Sequence, residues 1–291
     1  LKKFSLFYVV LQCCFLSTTA NHELIDSIQN DRSKSFFLKA GIGYASGMTL
    51  LGTSWYRDQG LGTFRLFNDL PEWKQMDKAG HLFTAYHLTR GLRNGCSTSG
   101  GSTKDCNLKS ALFAFTALSS IEILDGFSPA YGASVTDLAA NAAGTLLFVA
   151  QDLSWGEQRI VPKFSFHNDQ LAEKRPEVLG ASTLERLLKN YNGQTYWLSA
   201  DLDNVSELPG WLNLSLGYGA NEMVFGREQK NMAAGFNAQR RIFIGLDIDL
   251  KDIPVKKRWV KKLFMALNMI RIPAPAIEFN YNGIRLHPLY F

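Results

Sequence analysis

The feature that most constrains this chain is a change of period. Up to about residue 152 the apolar residues fall in long runs at helical spacing, and after Asn192-Gly193 they alternate one in two. A helix can bury a stripe of period 3.6, whereas a strand can bury every second residue, so the two parts cannot share one element type. Four helices are expected between 36 and 152: an apolar run over 36–56 that could be a tilted membrane segment or a helix buried in a bundle, a stretch opened by Asp69 and Pro71 and running to about Arg93, and two more over 108–125 and 134–151. Ser182-Thr183-Leu184-Glu185 is a capping box for a short helix ending near Asn190. Strands are expected over 195–203, 212–218 and 242–250. A hairpin should join 276–281 to 284–291 across Asn282-Gly283. The reading is therefore α+β, an N-terminal four-helix apolar bundle followed by an antiparallel sheet of about five strands. Its expected parts are the helical region 21–155, a connector with a short helix over 156–194, and a β region over 195–291. Five strands are too few for a transmembrane barrel, so the apolar face of each strand is expected to pack on the helices.

Residues 1–20 stand apart from both periods. Lys2 and Lys3 precede an apolar core from Phe4 to Leu16, and Thr18-Thr19-Ala20 supplies the small residues before a cleavage point. This is the pattern of a secretory signal peptide, so an exported protein is expected. Lipid attachment at Cys13 or Cys14 is the competing reading, although Leu11 and Gln12 are poor residues ahead of a lipidated cysteine. The composition, 46% hydrophobic and 20% charged, excludes a disordered chain. The net charge of +5 falls to +3 once Lys2 and Lys3 are removed, too weak to imply nucleic acid. Beyond the signal only Cys96 and Cys106 remain, bracketing a Ser/Gly-rich loop, and an oxidising compartment favours a disulfide between them.

Between the third strand and the hairpin, Trp259, Val260, Leu263, Phe264 and Leu267 share one helical face, and Lys256, Lys257, Lys261 and Lys262 take the other. A basic amphipathic helix with a bordering Trp can rest on an anionic membrane surface, so 256–270 is a candidate membrane contact. The plainer alternative is a helix that covers one face of the sheet with its lysines in water.

The chemistry-bearing residues lie in the helices. Asp77 and His81 are four apart, Glu122 and Asp125 three apart, Asp137 and Asn141 four apart, so each pair shares a helix face; Gly144 extends the last stripe. Carboxylates in apolar helices are costly to bury unless paired, and the simplest arrangement turns all three stripes toward one another. His81, Glu122, Asp125 and Asp137 are then candidates for acid/base catalysis, with Asp77 and Asn141 in support. His81, Glu122 and Asp125 could hold a divalent metal. The structural alternative is a register-fixing polar network or separate helix ends: Asp77 and Asp137 lie in first turns, where the helix dipole favours negative charge, and Asp125 precedes Gly126. His87 sits on another face and is expected to be packed or exposed.

Two resemblances follow from these residues. Asp77-Lys78-Ala79-Gly80-His81 with the segment 122–144 resembles the Asp-Lys-x-x-His and Glu…Asp…Asn-x-x-Gly pattern of VanZ-like membrane proteins. The same helices followed by 187–202 and the stretch Trp211 to Gly219 resemble the YfiM-like family labelled "predicted periplasmic lipoprotein" of Gram-negative bacteria. The resemblance implies an envelope location, in periplasm or at the outer membrane, with no established activity. The function expected is a structural or partner subunit of the envelope with membrane or envelope-protein partners. The alternative is a membrane-linked enzyme or transporter-like module acting on a lipid or cell-wall precursor through the His/carboxylate cluster.

Overall fold

The computed structural model describes residues 31–55, 62–129, 131–202 and 209–291. The signal-peptide reading and the choice between cleavage and lipidation at Cys13 or Cys14 lie outside the described residues. Four long helices come first: α1 (Asp31–Trp55), α2 (Met76–Thr98), α3 (Thr103–Gly126) and α4 (Val135–Trp155). Six strands follow, β1 (Ile160–Phe166), β2 (Gln194–Asp201), β3 (Leu212–Asn221), β4 (Gln239–Ile248), β5 (Ala274–Asn280) and β6 (Gly283–Tyr290), in a single antiparallel meander ordered β1 to β6. Short helices α5 (Pro176–Leu179), α6 (Thr183–Lys189) and α7 (Glu228–Ala233) fill connections, and α8 (Arg258–Leu267) links β4 to β5. Among the described residues no helix is long and apolar enough to cross a membrane.

The sheet has one strand more than expected. β1 reads Ile-Val-Pro-Lys-Phe-Ser-Phe and falls in what the sequence presents as a connector. Pro162 removes a donor, which an edge strand tolerates, and Lys163 interrupts the alternation that would mark a strand. Lys163 is nonetheless fully buried, its Nζ 2.6 Å from Asp247 Oδ2 on β4 and 2.8 Å from the Ile248 carbonyl.

That contact gives the shape of the sheet. Three strand spacings separate β1 from β4 in a flat sheet, about 14 Å, and four separate β2 from β6, about 19 Å. Here Lys163 touches Asp247, and the hydroxyls of Thr195 on β2 and Tyr290 on β6 lie 3.0 Å apart. The sheet is curled until its interior side chains meet. Residues 269–271 run along the free edge of β1, with Phe164 N–H donating to Met269 and Arg271 N–H donating to Phe164, each at 2.9 Å. Arg271, fully buried, donates to the Tyr290 and Leu246 carbonyls at 2.8 Å and lies over the Trp197 ring at 3.7 Å, so it fills the seam. Trp197, Phe243 and Tyr290 occupy the centre. Gly217 is required there, since a Cβ would come within 2.6 Å of the Trp197 ring.

This corrects the expectation that helices cover the apolar face of the strands. α2 does cover β1 and part of β2: Phe83 contacts Phe164 and Tyr196, and His87 Nε2–H donates to the Pro162 carbonyl at 2.7 Å. Gln151 of α4 holds the start of β1 by accepting from Ile160 N and donating to Ile160 O. The apolar side of β3–β6 faces outward, and the interior carries Lys163, Ser199, Asn213, Ser215, Asp247 and Glu278, all buried.

The helical half departs in the same sense from an apolar bundle. α2, α3 and α4 pack together with Asn107, Ser110, Asn141, Thr145 and Gln151 buried. α1 joins them through Phe37 against Phe113 and Tyr44 hydroxyl donating to the Ala117 carbonyl. Leu108, Leu112, Leu146 and Leu153 point away. The disulfide Cys96–Cys106 staples the end of α2 to the start of α3.

α2 also starts later than Asp69 and Pro71 suggest. Trp73, Lys74 and Gln75 have φ of 48°, 50° and 63°, a left-handed run that L-residues adopt only when their surroundings impose it. The sheet and the connection between β3 and β4 supply that restraint. Trp73 N–H donates to Gly226 at 2.7 Å, the Tyr218 hydroxyl donates to the Lys74 carbonyl, Lys74 pairs with Glu228, and Arg240 donates to the Gln75 side chain. Met76 then seats among Ala220, Met223 and Ala238.

Candidate functional site

The turn just described delivers Asp77, Lys78 and His81 in the first two turns of α2. Asp69, on the segment before it, accepts from Ser134 Oγ at 2.7 Å and Thr136 Oγ1 at 2.8 Å. Ser134 also caps α4 by accepting from Asp137 N–H at 3.0 Å, so one hydroxyl ties the segment before α2 to the first turn of α4. Close approach of α2 and α4 completes the arrangement, because a Cβ on Gly144 would lie 2.2 Å from the Leu82 carbonyl.

Lys78 is the centre. Its Nζ lies 2.5 Å from Asp69 Oδ2, 2.8 Å from Asp77 Oδ2 and 2.8 Å from Asp137 Oδ1. Burial works against its charge, yet three carboxylates more than compensate and push its pKa above the ordinary lysine range. Asp69 is held down to about 2: burial opposes this, and contacts with Lys78, Asp137, Ser134 and Thr136 outweigh it. Asp77 goes the other way, raised by burial against the pull of Lys78.

His81 stands one turn further along. Its Nδ1 is 3.1 Å from Asn141 Oδ1, and Nε2 is 3.7 Å from both Glu122 Oε1 and Asp137 Oδ1. With Asn141 accepting, the Nδ1 carries the proton and Nε2 faces the two carboxylates. Glu122 is buried in α3, and its pKa is pushed up to about 8, first by burial and then by the charges of Asp137 and Asp125. Asp137 is pushed up to about 6 by burial, against His81 and Lys78. Near neutral pH the corner therefore holds a protonated carboxyl beside an ionised one, with an imidazole whose side chain is 28% exposed.

Of the residues expected from sequence, His81, Glu122, Asp137 and Asn141 meet directly, and Asp77 joins them through Lys78. Asp125 is half-buried at the end of α3 and acts on Glu122 through its charge. Among the described residues two groups bring their ligand atoms within 4.8 Å of one another, His81/Glu122/Asp137 and Asp69/Asp77/Asp137. Beside His81 and Glu122 the third ligand atom comes from Asp137 in the first turn of α4 and not from Asp125, although Glu122 and Asp125 both lie in the last turns of α3. In the all-carboxylate group the cationic position is taken by the Lys78 ammonium. In the His81 group a divalent cation would share Asp137 Oδ1 with that ammonium and displace the Glu122 proton.

Sequence reasoning missed Lys78 and Asp69. A lysine beside an aspartate on an apolar helix reads as a solvated pair. The available signal was the count of acids on the facing helices, which one buried cation had to balance. His87 belongs to the interface with β1, and burial lowers its pKa to about 4.

Fold and site together define an α+β protein: a helical unit organised by a lysine–carboxylate network, joined to a curled six-stranded sheet with a polar interior. Residues 67–151 are similar to a family described as "Predicted periplasmic lipoprotein (DUF2279)". The matched stretch holds Asp69 to Asn141 and both bridged cysteines, and it ends before β1. No curated protein and no solved structure matches the chain. The finer YfiM-like and VanZ-like likenesses rest on their motifs alone.

Proposed function

We propose that this chain is an exported component of the cell envelope of a Gram-negative bacterium, in the periplasm or at the outer membrane, and serves as a structural or partner subunit. The observation that carries this reading is the neutralisation of Asp69, Asp77 and Asp137 by Lys78. Such a network, closed by caps and helix contacts, fixes the register of α2 against α4, as a scaffold needs. The similarity of 67–151 to a periplasmic lipoprotein family supports the location. Membrane contact through 256–270 fits α8, which buries none of its residues and carries its lysines on one side. The test is fractionation and co-purification with envelope proteins. His81→Ala combined with Glu122→Ala should keep that association. Its loss from a variant that remains folded would show that the cluster does more than hold helices.

A second reading draws on the corner of His81, Glu122 and Asp137. A partly exposed imidazole beside a carboxyl that titrates near 8 is suited to moving a proton, or to holding a divalent cation once Glu122 ionises. This favours a membrane-linked enzyme or transporter-like module acting on a lipid or cell-wall precursor, with Asp125 tuning Glu122. Zinc titration by calorimetry at pH 8.5, with His81→Ala as control, tests the cation form. Binding that survives the substitution would remove His81 from it.

A further inference from the structure

We propose that the outer surface of the curled sheet is a lipid-facing surface, embedded in one leaflet of a bilayer and not merely resting on it through α8. The inference goes beyond the membrane contact above because it stands on the strands. Cross-strand register places Leu198, Leu216, Ile244, Ile277 and Leu286 side by side, a continuous apolar row across five strands. Leu216 is 52% exposed, Ile244 43% and Leu286 75%. No outward position from Leu212 to Tyr218 on β3, or from Ile242 to Ile248 on β4, carries a charge. An apolar surface this continuous marks a contact with something else.

The inside of the same strands identifies the occupant. Lys163 and Asp247 are both 0% exposed, Ser199 donates to Asp247 at 2.6 Å and accepts from Asn213, and Glu278 takes Arg241 in a two-pronged pair at 2.8 Å with His287 at 2.7 Å. Polar inside and apolar outside is the reverse of a water-soluble barrel and the arrangement of barrels that face lipid. Closure makes the outer surface convex, which fits fluid acyl chains and is poorly matched by a second convex copy. A shallow groove of about 420 Å³ between β3 and β6, lined by Leu214, Ile244, Ile277 and Leu286, adds room for a chain.

One end of the sheet carries an interfacial collar. Trp155 precedes β1, Trp211 precedes β3 and Trp259 lies in α8 after β4, all exposed. Antiparallel register puts the start of β1, the start of β3 and the end of β4 at that same end, with Lys256, Lys257, Arg258, Lys261 and Lys262 beside them. Tryptophans and cations in this position belong at the headgroup level of an anionic membrane. The outward apolar run on β3, from Leu212 to Leu216, covers four residue steps, about 13 Å along the strand, because Tyr218 packs beneath the turn before α2. That is shorter than the ~25 Å band of barrels that span, hence one leaflet.

The experiment is flotation of the mature chain with protein-free vesicles of phosphatidylglycerol and phosphatidylcholine, which separates lipid binding from any envelope partner. The wild type should float. Leu216→Asn/Ile244→Asn/Leu286→Asn, whose side chains are exposed on the outer face, should lower the bound fraction at least tenfold with near-ultraviolet circular dichroism unchanged. If that variant misfolds, Leu286→Asn alone, on the edge strand, should lower binding several-fold. Charge reversal of Lys256, Lys257, Lys261 and Lys262 should weaken binding to anionic vesicles and leave binding to pure phosphatidylcholine in place; that result separates the sheet from α8. Wild-type protein that does not float, or a folded triple variant that floats equally well, overturns the proposal. So does a wild-type dimer in buffer that the triple substitution splits while vesicles capture neither form.

Discussion

Both halves of the molecule bury a lysine among acids, and they do so differently. Lys163 has one carboxylate, Asp247, and neither side chain touches solvent. Lys78 has three, at 12–14% exposure or less on each side, and beyond them Glu122 and His81 leave a surplus of titratable groups. The sheet pair is balanced one to one, whereas the helical cluster holds more acid than its cation neutralises. A balanced pair in a sealed interior has only structure to maintain. An unbalanced cluster near water must respond to pH, to a cation or to a partner. The two halves therefore give their polar interiors distinct work, with the responsive chemistry in the helices and the rigid inversion in the sheet.

Breaking the balanced pair should have the largest effect. Lys163→Met leaves the buried Asp247 with only the Ser199 hydroxyl and the charge of Arg271 to offset it and should lower stability by about 3–5 kcal/mol in denaturant melts followed by near-ultraviolet circular dichroism. Replacing both partners, Lys163→Met with Asp247→Leu, should recover most of it. A loss below about 1 kcal/mol for the single change would mean that the interior admits water. Lys78→Met should cost less, about 3 kcal/mol, since its carboxylates can draw on nearby solvent. Its loss should shrink from pH 8 to pH 5 as Asp137 and Glu122 take up protons; a pH-independent loss would contradict the surplus of acid.

Opening the disulfide sharpens the comparison from another side. Cys96→Ser should cost about 2–3 kcal/mol, read as a lower melting temperature of the helical signal with the sheet signal unmoved, if the halves unfold separately. The smallest effect at neutral pH is expected from Glu122→Gln. Glu122 titrates at about 8 in the fold against an ordinary 4.5, so the folded state binds the extra proton between those values. Its contribution is complete below 4.5 and lost as pH rises through 8. The wild type should weaken over that range and the Gln variant should lose this slope, as thermal melts at half-unit pH steps would show.

The helices of the first half were legible because their runs are long and uninterrupted, and the placement of Asp77, Glu122, Asp137 and Asn141 on inward stripes followed from spacing. Lys78 was not, because no local pattern distinguishes a lysine that ties the segment before α2 to the first turn of α4 from one in water. The start of α2 was misread for a related reason: the left-handed turn at Trp73–Gln75 is imposed by Tyr218, Gly226 and Arg240, which lie far along the chain. β1 was hidden by Pro162 and Lys163, residues that a strand accepts only at an edge and opposite an Asp247.

The sequence by itself determined the order of element types, the strands β2 to β6 and their two unlike faces, and the amphipathic character of α8. Only the tertiary structure decided which face of the sheet is inside. Period two separates two sets of side chains without assigning either to the interior, and the assignment depends on whether the sheet lies flat against helices or curls. Lys163 meeting Asp247 and Thr195 meeting Tyr290 across the curl settle it. Buried polar groups need partners that only closure brings within reach, and the aliphatic set is thereby turned outward.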